Sequence, residues 1–329
     1  MRHHRLATVL TALLVGGTLL APSAGAAVPT TDLQPQKLAR GADIAIPHID
    51  EGDFVDGTRR VELPGTVARV IGQVGDAWLV GTYNADRKRN RRVVRVEADG
   101  TVTTILSNVD TYTVILSADG STIAWQRFVN GGRKAVTYAA SSADGEVLGE
   151  NGPTAPHRLL DVSDDRVLLG GSRRTLQWRF ATDRSRTVVK KGANVADIEH
   201  DLLAFYTRDP YFGGCTKLVR LSDPSTKLWR SCDHRVWDIS PDGTRLATID
   251  LLSDGVGPGE VRIREIDGSA VARYSTGWFS TVEWESADTV LLGVNGKKKS
   301  ATVRCTATAC ENATDPVPTM FPRQVASAR

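Results

Sequence analysis

Charge of one sign is what this chain most conspicuously lacks. Its 41 Lys and Arg stand against 38 Asp and Glu, a formal net charge of +3. Arg2 and Arg5 lie in the first segment, and without them the balance falls to about +1, so the overall basic footprint of a nucleic-acid binder is missing. Cysteine is scarce, with four residues and no C-x-x-C pair, and histidine numbers six. At 329 residues the chain is too long to be a small scaffold held mainly by staples. Beyond residue 26 no apolar stretch is long enough to cross a membrane, and no long helical period runs through the sequence. Hydrophobic residues at 41% and charged residues at 24% place the chain among folded, water-soluble proteins and exclude an intrinsically disordered one.

What is present begins with an address. Residues 1–26 have a basic start, an apolar run over Leu6–Ala21 and a small-x-small site at Ala24-Gly25-Ala26. This is the layout of a secretory signal, and its apolar run is shorter than the roughly 20 residues of a lasting membrane anchor. Secretion and release by a bacterium are expected, with residues 27–43 as a linker and 44–329 as the folded unit. The cysteines agree. Cys215–Leu221 and Thr226–Cys232 read as two strands joined by Ser222–Ser225, and pairing Leu221 with Thr226 sets Cys215 opposite Cys232. Cys305 and Cys310 close another four-residue loop. Two disulfides within hairpins are expected, as an oxidising compartment permits. Zinc is the weaker reading, because only His234 lies near a cysteine.

Past residue 65, short β-branched runs alternate with Asp-Gly, Asn-Gly and Pro turns. The clearest unit is Val236–Ser240, then Pro241-Asp242-Gly243, then a second strand over Thr244–Asp250. Tyr112–Trp125 repeats it through Ser117-Ala118-Asp119-Gly120, and weaker copies turn at Gly75-Asp76, Asp164-Asp165, His200-Asp201 and Ala287-Asp288. Their mean spacing is about 42 residues, as expected for four-stranded propeller blades. Each period holds a second hairpin, turning at Asp99-Gly100, Asp144-Gly145, Asp183, Ser222–Ser225, Asp267-Gly268 and Thr306–Ala309. The reading is an all-β propeller of seven four-stranded blades. One blade would be closed by both termini, with Ile44–Pro64 as outer strands and Phe321–Ala326 as the inner one. Six blades plus an N-terminal hairpin is the alternative.

Ser240-Pro241-Asp242-Gly243-Thr244-Arg245-Leu246-Ala247 resembles the WD-like repeat of TolB-type propellers, which also occurs in the propeller domains of prolyl-oligopeptidase-like enzymes. The resemblance implies a secreted bacterial propeller and covers residues 65–315 as architecture. TolB proper also has an N-terminal α/β domain, and Thr30–Pro64 is too short to hold it, so the TolB partners are not carried over. The peptidases keep their triad in a separate hydrolase domain signalled by G-x-S-x-G, which does not occur here. Gly296-Lys297-Lys298-Lys299-Ser300 lacks the upstream glycine of a phosphate loop. No cofactor is expected.

Two constellations stand out. Asp161, Asp197, Asp238 and Glu283 occupy one repeat position in four consecutive blades, each two residues before Ser163, Glu199, Ser240 and Glu285. They are weak candidates for a cation site on the channel, the plainer reading being a pairing with backbone N–H groups or an Arg of the next blade. The second constellation is a segregation of charge. Arg87, Lys88, Arg89, Arg91 and Arg92, then Arg133 and Lys134, Arg173 and Arg174, and Lys297, Lys298 and Lys299 all fall in connections between second and third strands. The Asp-rich turns fall on the opposite face, where turn chemistry accounts for them. The cations on one face form the candidate binding surface. The expected function is a secreted, non-catalytic binding or scaffold module, monomeric, whose partner is an extracellular protein or an anionic cell-wall polymer. The alternative is a secreted hydrolase or lyase with a site at the channel mouth, drawing on His157, His234, Trp237 and Trp278.

Overall fold

The computed structural model describes residues 28–86 and 89–319. Among them the chain forms seven antiparallel sheets in sequence order, together with four short 3-10 turns. Blade 1 covers 48–61, blade 2 67–107, blade 3 115–154, blade 4 158–189, blade 5 193–231, blade 6 234–275 and blade 7 278–312. Blades 2 to 7 each hold four consecutive strands in simple meander order. Blade 1 has three described strands, His48–Asp50, Asp53–Asp56 and Arg59–Val61. Seven sheets form the ring, and the six-bladed alternative is set aside. The expected inner strand Phe321–Ala326 and the signal segment lie outside the described residues.

The turns close where the sequence placed them, and their chemistry is visible. In blade 6 the Ser240 hydroxyl donates to the Asp242 carboxylate at 2.6 Å, and the same carboxylate accepts the N–H of Thr244 at 3.2 Å. Gly243 follows with φ of +69°, a left-handed conformation that a side chain would strain. Blade 3 repeats the arrangement, with Ser117 to Asp119 at 2.5 Å and φ of +72° at Gly120. At the second hairpins Asp99, Asp144, Asp223 and Asp267 each accept the N–H two residues on. These Asp residues are fixed by turn geometry.

The core is distributed between blades. Alternating apolar residues bury one sheet face against the next blade, as Leu79 and Val93 of blade 2 do against Val114 and Ile123 at blade 3. Phe54 and Val61 of blade 1 pack with Val80, Val94 and Val96 of blade 2, so the three-stranded sheet joins the ring. Polar contacts are also shared between blades. The Arg69 guanidinium donates to the Thr111 and Val114 carbonyls, both at 2.8 Å.

Three details differ from the sequence reading. The expected 27–43 linker is, over its residues 30–43, built into the ring edge. Thr30–Asp32 adds a parallel strand to Arg273–Ser275 of blade 6, and Leu33 is fully buried in the core shared by blades 6 and 7. The Asn312 amide then donates to the carbonyls of Pro35 and Leu38, so the segment straps the outer edges of both blades. Second, both expected disulfides form, Cys215–Cys232 and Cys305–Cys310, but Leu221 does not face Thr226. A bulge between Leu218 and Val219 shifts the register by one residue near the turn, while Thr216 opposite Ser231 keeps the cysteines aligned. Third, the first strands of blades 2, 4, 5, 6 and 7 carry register shifts that periodicity does not reveal.

Candidate binding site

In an antiparallel four-stranded blade, the second-to-third-strand loops and the links to the next blade leave on one face. On that upper face blades 4, 5 and 6 enclose a cavity of about 680 Å³. Its charged lining is Arg173 from the blade 4 turn, Lys190 and Lys191 from the link between blades 4 and 5, Arg208 from the blade 5 loop, and Arg235 from the first strand of blade 6. Among the described residues none of these five enters an ion pair with a carboxylate. Among the described residues Asp209 is the only acid on the lining, and its carboxylate accepts the Tyr211 N–H at 3.0 Å. Five cations against one carboxylate give the cavity a positive potential that water only partly screens.

Local structure holds the cavity open. Asp209 caps the short turn Pro210–Phe212, Gly213 takes φ of +76°, and the Thr207 N–H donates to the Cys215 carbonyl at 2.9 Å. The Cys215–Cys232 disulfide staples the base of this loop. Tyr211 and Phe212 consequently stand out at 67% and 77% exposure on a braced support. The Tyr211 hydroxyl donates to Asp254 of the neighbouring blade 6 loop at 3.2 Å. Arg235 donates to the Ser253 carbonyl at 3.0 Å and lies 5.3 Å from the Trp237 ring centroid, a cation–π contact that fixes the guanidinium. At the floor, Gly192 is required. A Cβ there would sit 2.5 Å from the Gly171 carbonyl oxygen, so any side chain would push apart the two backbones that meet beneath the cavity.

The other cations named from sequence are dispersed. Arg133 and Lys134 are exposed at the blade 3 turn, and Lys297 and Lys298 at the blade 7 turn. Lys299 opens the third strand of blade 7 and donates to the Pro316 carbonyl at 3.3 Å. Arg87 and Lys88 lie outside the described residues, and the third strand of blade 2 begins at Arg89. Arg91 and Arg92 therefore stand in the ladder and not in the loop, and Arg91 pairs with Asp110 at 3.6 Å. Arg173 lines the cavity and Arg174 the adjoining cleft. Lys190, Lys191 and Arg208 were missed, although the Lys190-Lys191 pair lies in a link that leaves on the same face.

The channel-mouth candidates fall at the entry to blade 4 and in the first strands of blades 6 and 7. His157 lines the adjoining cleft, half-buried, with its imidazole pKa lowered by burial. His234 begins the first strand of blade 6, where burial and then Arg262 and Arg264 hold its pKa down. Trp278 opens blade 7, and neither it nor His234 lines the cationic cavity.

Asp161 and Asp238 lie at the bulges of their first strands, which aim them into the neighbouring structure. Asp161 accepts the N–H of Val162 at 2.8 Å and that of Ile198 in blade 5 at 2.6 Å. Burial nevertheless pushes its carboxyl up to about 6, and that of Asp238 up to about 7. Asp197 instead accepts the His200 N–H at 2.9 Å and meets its ring Nδ1 at 2.8 Å. Burial also raises Glu283. Among the described residues no three such side chains come close enough together to hold a metal ion. Of the four acids, Asp161 bridges two blades, through the Ile198 N–H.

No family model matches the chain, and no curated protein does. Solved structures do match. A chain of the Mitotic Checkpoint Complex crystal structure is similar with a TM-score of 0.55 at 13% identity, over 86% of this chain and 90% of that one. TolB from Acinetobacter baumannii gives 0.47 at 14% identity, over 67% of this chain and 59% of that one. BamB from Moraxella catarrhalis gives 0.43 at 14%, over 78% and 92%. Identity at this level shows the fold alone. The chain is a seven-bladed β-propeller, with TolB and BamB propellers among its structural neighbours.

Proposed function

We propose that this protein is a secreted, non-catalytic binding module that holds an anionic cell-wall polymer on the upper face of the propeller, with the cavity between blades 4, 5 and 6 as its principal site. One observation carries the reading: five cations converge on a cavity bearing two tyrosines, Tyr206 and Tyr211, and among the described residues none is ion-paired with a carboxylate. Cations so placed release counterions when a polyanion displaces them, and the aromatic rings offer flat surfaces to sugar units. The signal-like N-terminus and the two disulfides support an extracellular setting. The cations of blades 2, 3 and 7 would act as a surrounding field, steering more than holding.

The test is retention on an anionic wall preparation. Wild type should bind at low salt and elute steeply as salt approaches physiological strength. Replacing Lys190, Lys191 and Arg208 with Ser should weaken retention about tenfold or more and leave Tm nearly unchanged, because exposed unpaired cations contribute little to stability. Salt-insensitive retention, or a variant that binds as well as wild type, overturns the proposal. Capture of a protein alone, with no polymer binding, would favour a protein partner instead.

A further inference from the structure

The cationic cavity does not end at its rim. A second cleft of about 380 Å³ adjoins it, lined by Asn151, Thr154, His157, Arg174 and Ser185, with Leu169 and Leu176 beneath. Gly171, Ser172 and Arg173 line both spaces. They form the tight turn of blade 4, closed by the Gly171 N–H on the Arg174 carbonyl at 2.9 Å. The turn is thus a saddle between two depressions, with Arg173 on it, exposed and outside any ion pair among the described residues. The two sides differ in chemistry. One offers Lys190, Lys191, Arg208 and Arg235. Beyond the shared turn, the other adds one guanidinium, Arg174, beside an amide and two hydroxyls over an apolar floor, a lining suited to hydroxyl groups and the C–H faces of sugar rings.

A single small anion would be satisfied on one side and would leave the saddle and cleft unused. We infer that the ligand is a linear chain of acidic sugar units that crosses the blade 4 turn, and that the protein reads chain length by engaging both depressions at once. The inference rests on the proposed function. It adds that the second depression binds only ligands already held in the first, so its contribution appears as effective concentration.

The experiment measures the affinity of the purified full chain for oligogalacturonates from the monomer to the octamer, with a neutral glucan octamer alongside. The affinity should rise by about tenfold or more between the shortest oligomer that binds and the octamer, then level off. Arg174→Ser should lower octamer affinity about tenfold and leave the shortest binder unchanged, with Asn151→Ala acting in the same direction. Equal affinity at all lengths, or an Arg174→Ser defect equal for short and long chains, overturns the inference while leaving anion binding intact. Equal binding of the neutral octamer overturns it as well. Absence of binding at any length, to a chain that also fails on wall material, overturns the underlying function instead.

Discussion

Asp238 and Asp161 carry a cost that the rest of the fold absorbs. Each is desolvated, and each binds its proton more tightly folded than unfolded. Their stabilising contribution is therefore complete below the ordinary carboxylate pKa and is lost as pH rises through about 6 for Asp161 and about 7 for Asp238. The turn residues Asp119, Asp223 and Asp242 have the opposite sign. Their carboxylates are held below the usual range by Ser and Thr hydroxyls and backbone N–H groups, so their contribution is lost as pH falls through those lowered values. Stability should peak in mildly acidic solution, with Tm falling on both sides in a thermal scan across pH. Asp238→Asn keeps an oxygen to accept the Ile239 N–H, now at 3.0 Å, and removes the charge facing Asp197 and Glu283. It should raise Tm by about 3 °C at pH 8 and by clearly less at pH 5. A variant less stable at both values would show that the carboxylate is needed as an anion. Sequence showed the four acids in register. It did not show the bulges beside Asp161 and Asp238, because a bulge leaves no mark on apolar alternation.

At the level of elements, the strap over 30–43 is the feature the sequence hid most completely. Its composition resembles a linker, and only tertiary pairing with Arg273–Ser275 makes Thr30–Asp32 a strand. Leu33 is the anchor, fully buried against the cores of blades 6 and 7. Arg304 fastens the far end. Its guanidinium pairs with Glu285 and donates to the Ala42 and Asp43 carbonyls at 2.9 and 2.7 Å. Leu33→Ala should destabilise by about 3 kcal/mol in denaturant melts, through lost burial and the cavity left behind. A loss below about 0.5 kcal/mol would mean the strap is peripheral. The hairpins, by contrast, were legible, because Ser-x-Asp-Gly and Asp-Gly turns carry their geometry in their residue types. The binding cavity was legible only in part. Arg173 and Arg174 stood out as a pair in a short turn, whereas Lys190, Lys191 and Arg208 join them only once three blades are arranged around the ring.

For the whole molecule, closure and polarity are the governing properties. Blade 1 faces blade 7 across a cleft of about 880 Å³ lined by Ile49, Val55, Val294 and Val317, where an inner strand from the C-terminus was expected. Deleting residues 320–329 tests that expectation. A drop in Tm with gain of aggregation supports closure by both termini, and an unchanged melt contradicts it. Polarity follows from the meander itself. Turn-forming Asp residues sit at the lower turns and five cations line one cavity of the upper face, so a chain of net charge +3 carries a concentrated positive site there. The most direct measurement of the central claim is the salt dependence of binding to a uronic-acid polymer. Wild type is compared with the Lys190→Ser, Lys191→Ser, Arg208→Ser variant and with an Arg133→Ser, Lys134→Ser, Lys297→Ser, Lys298→Ser variant. The expected result is a large loss of affinity and a shallower salt slope in the cavity variant, with a smaller loss in the dispersed one. Equal losses in the two variants, or none in either, would contradict a site between blades 4, 5 and 6.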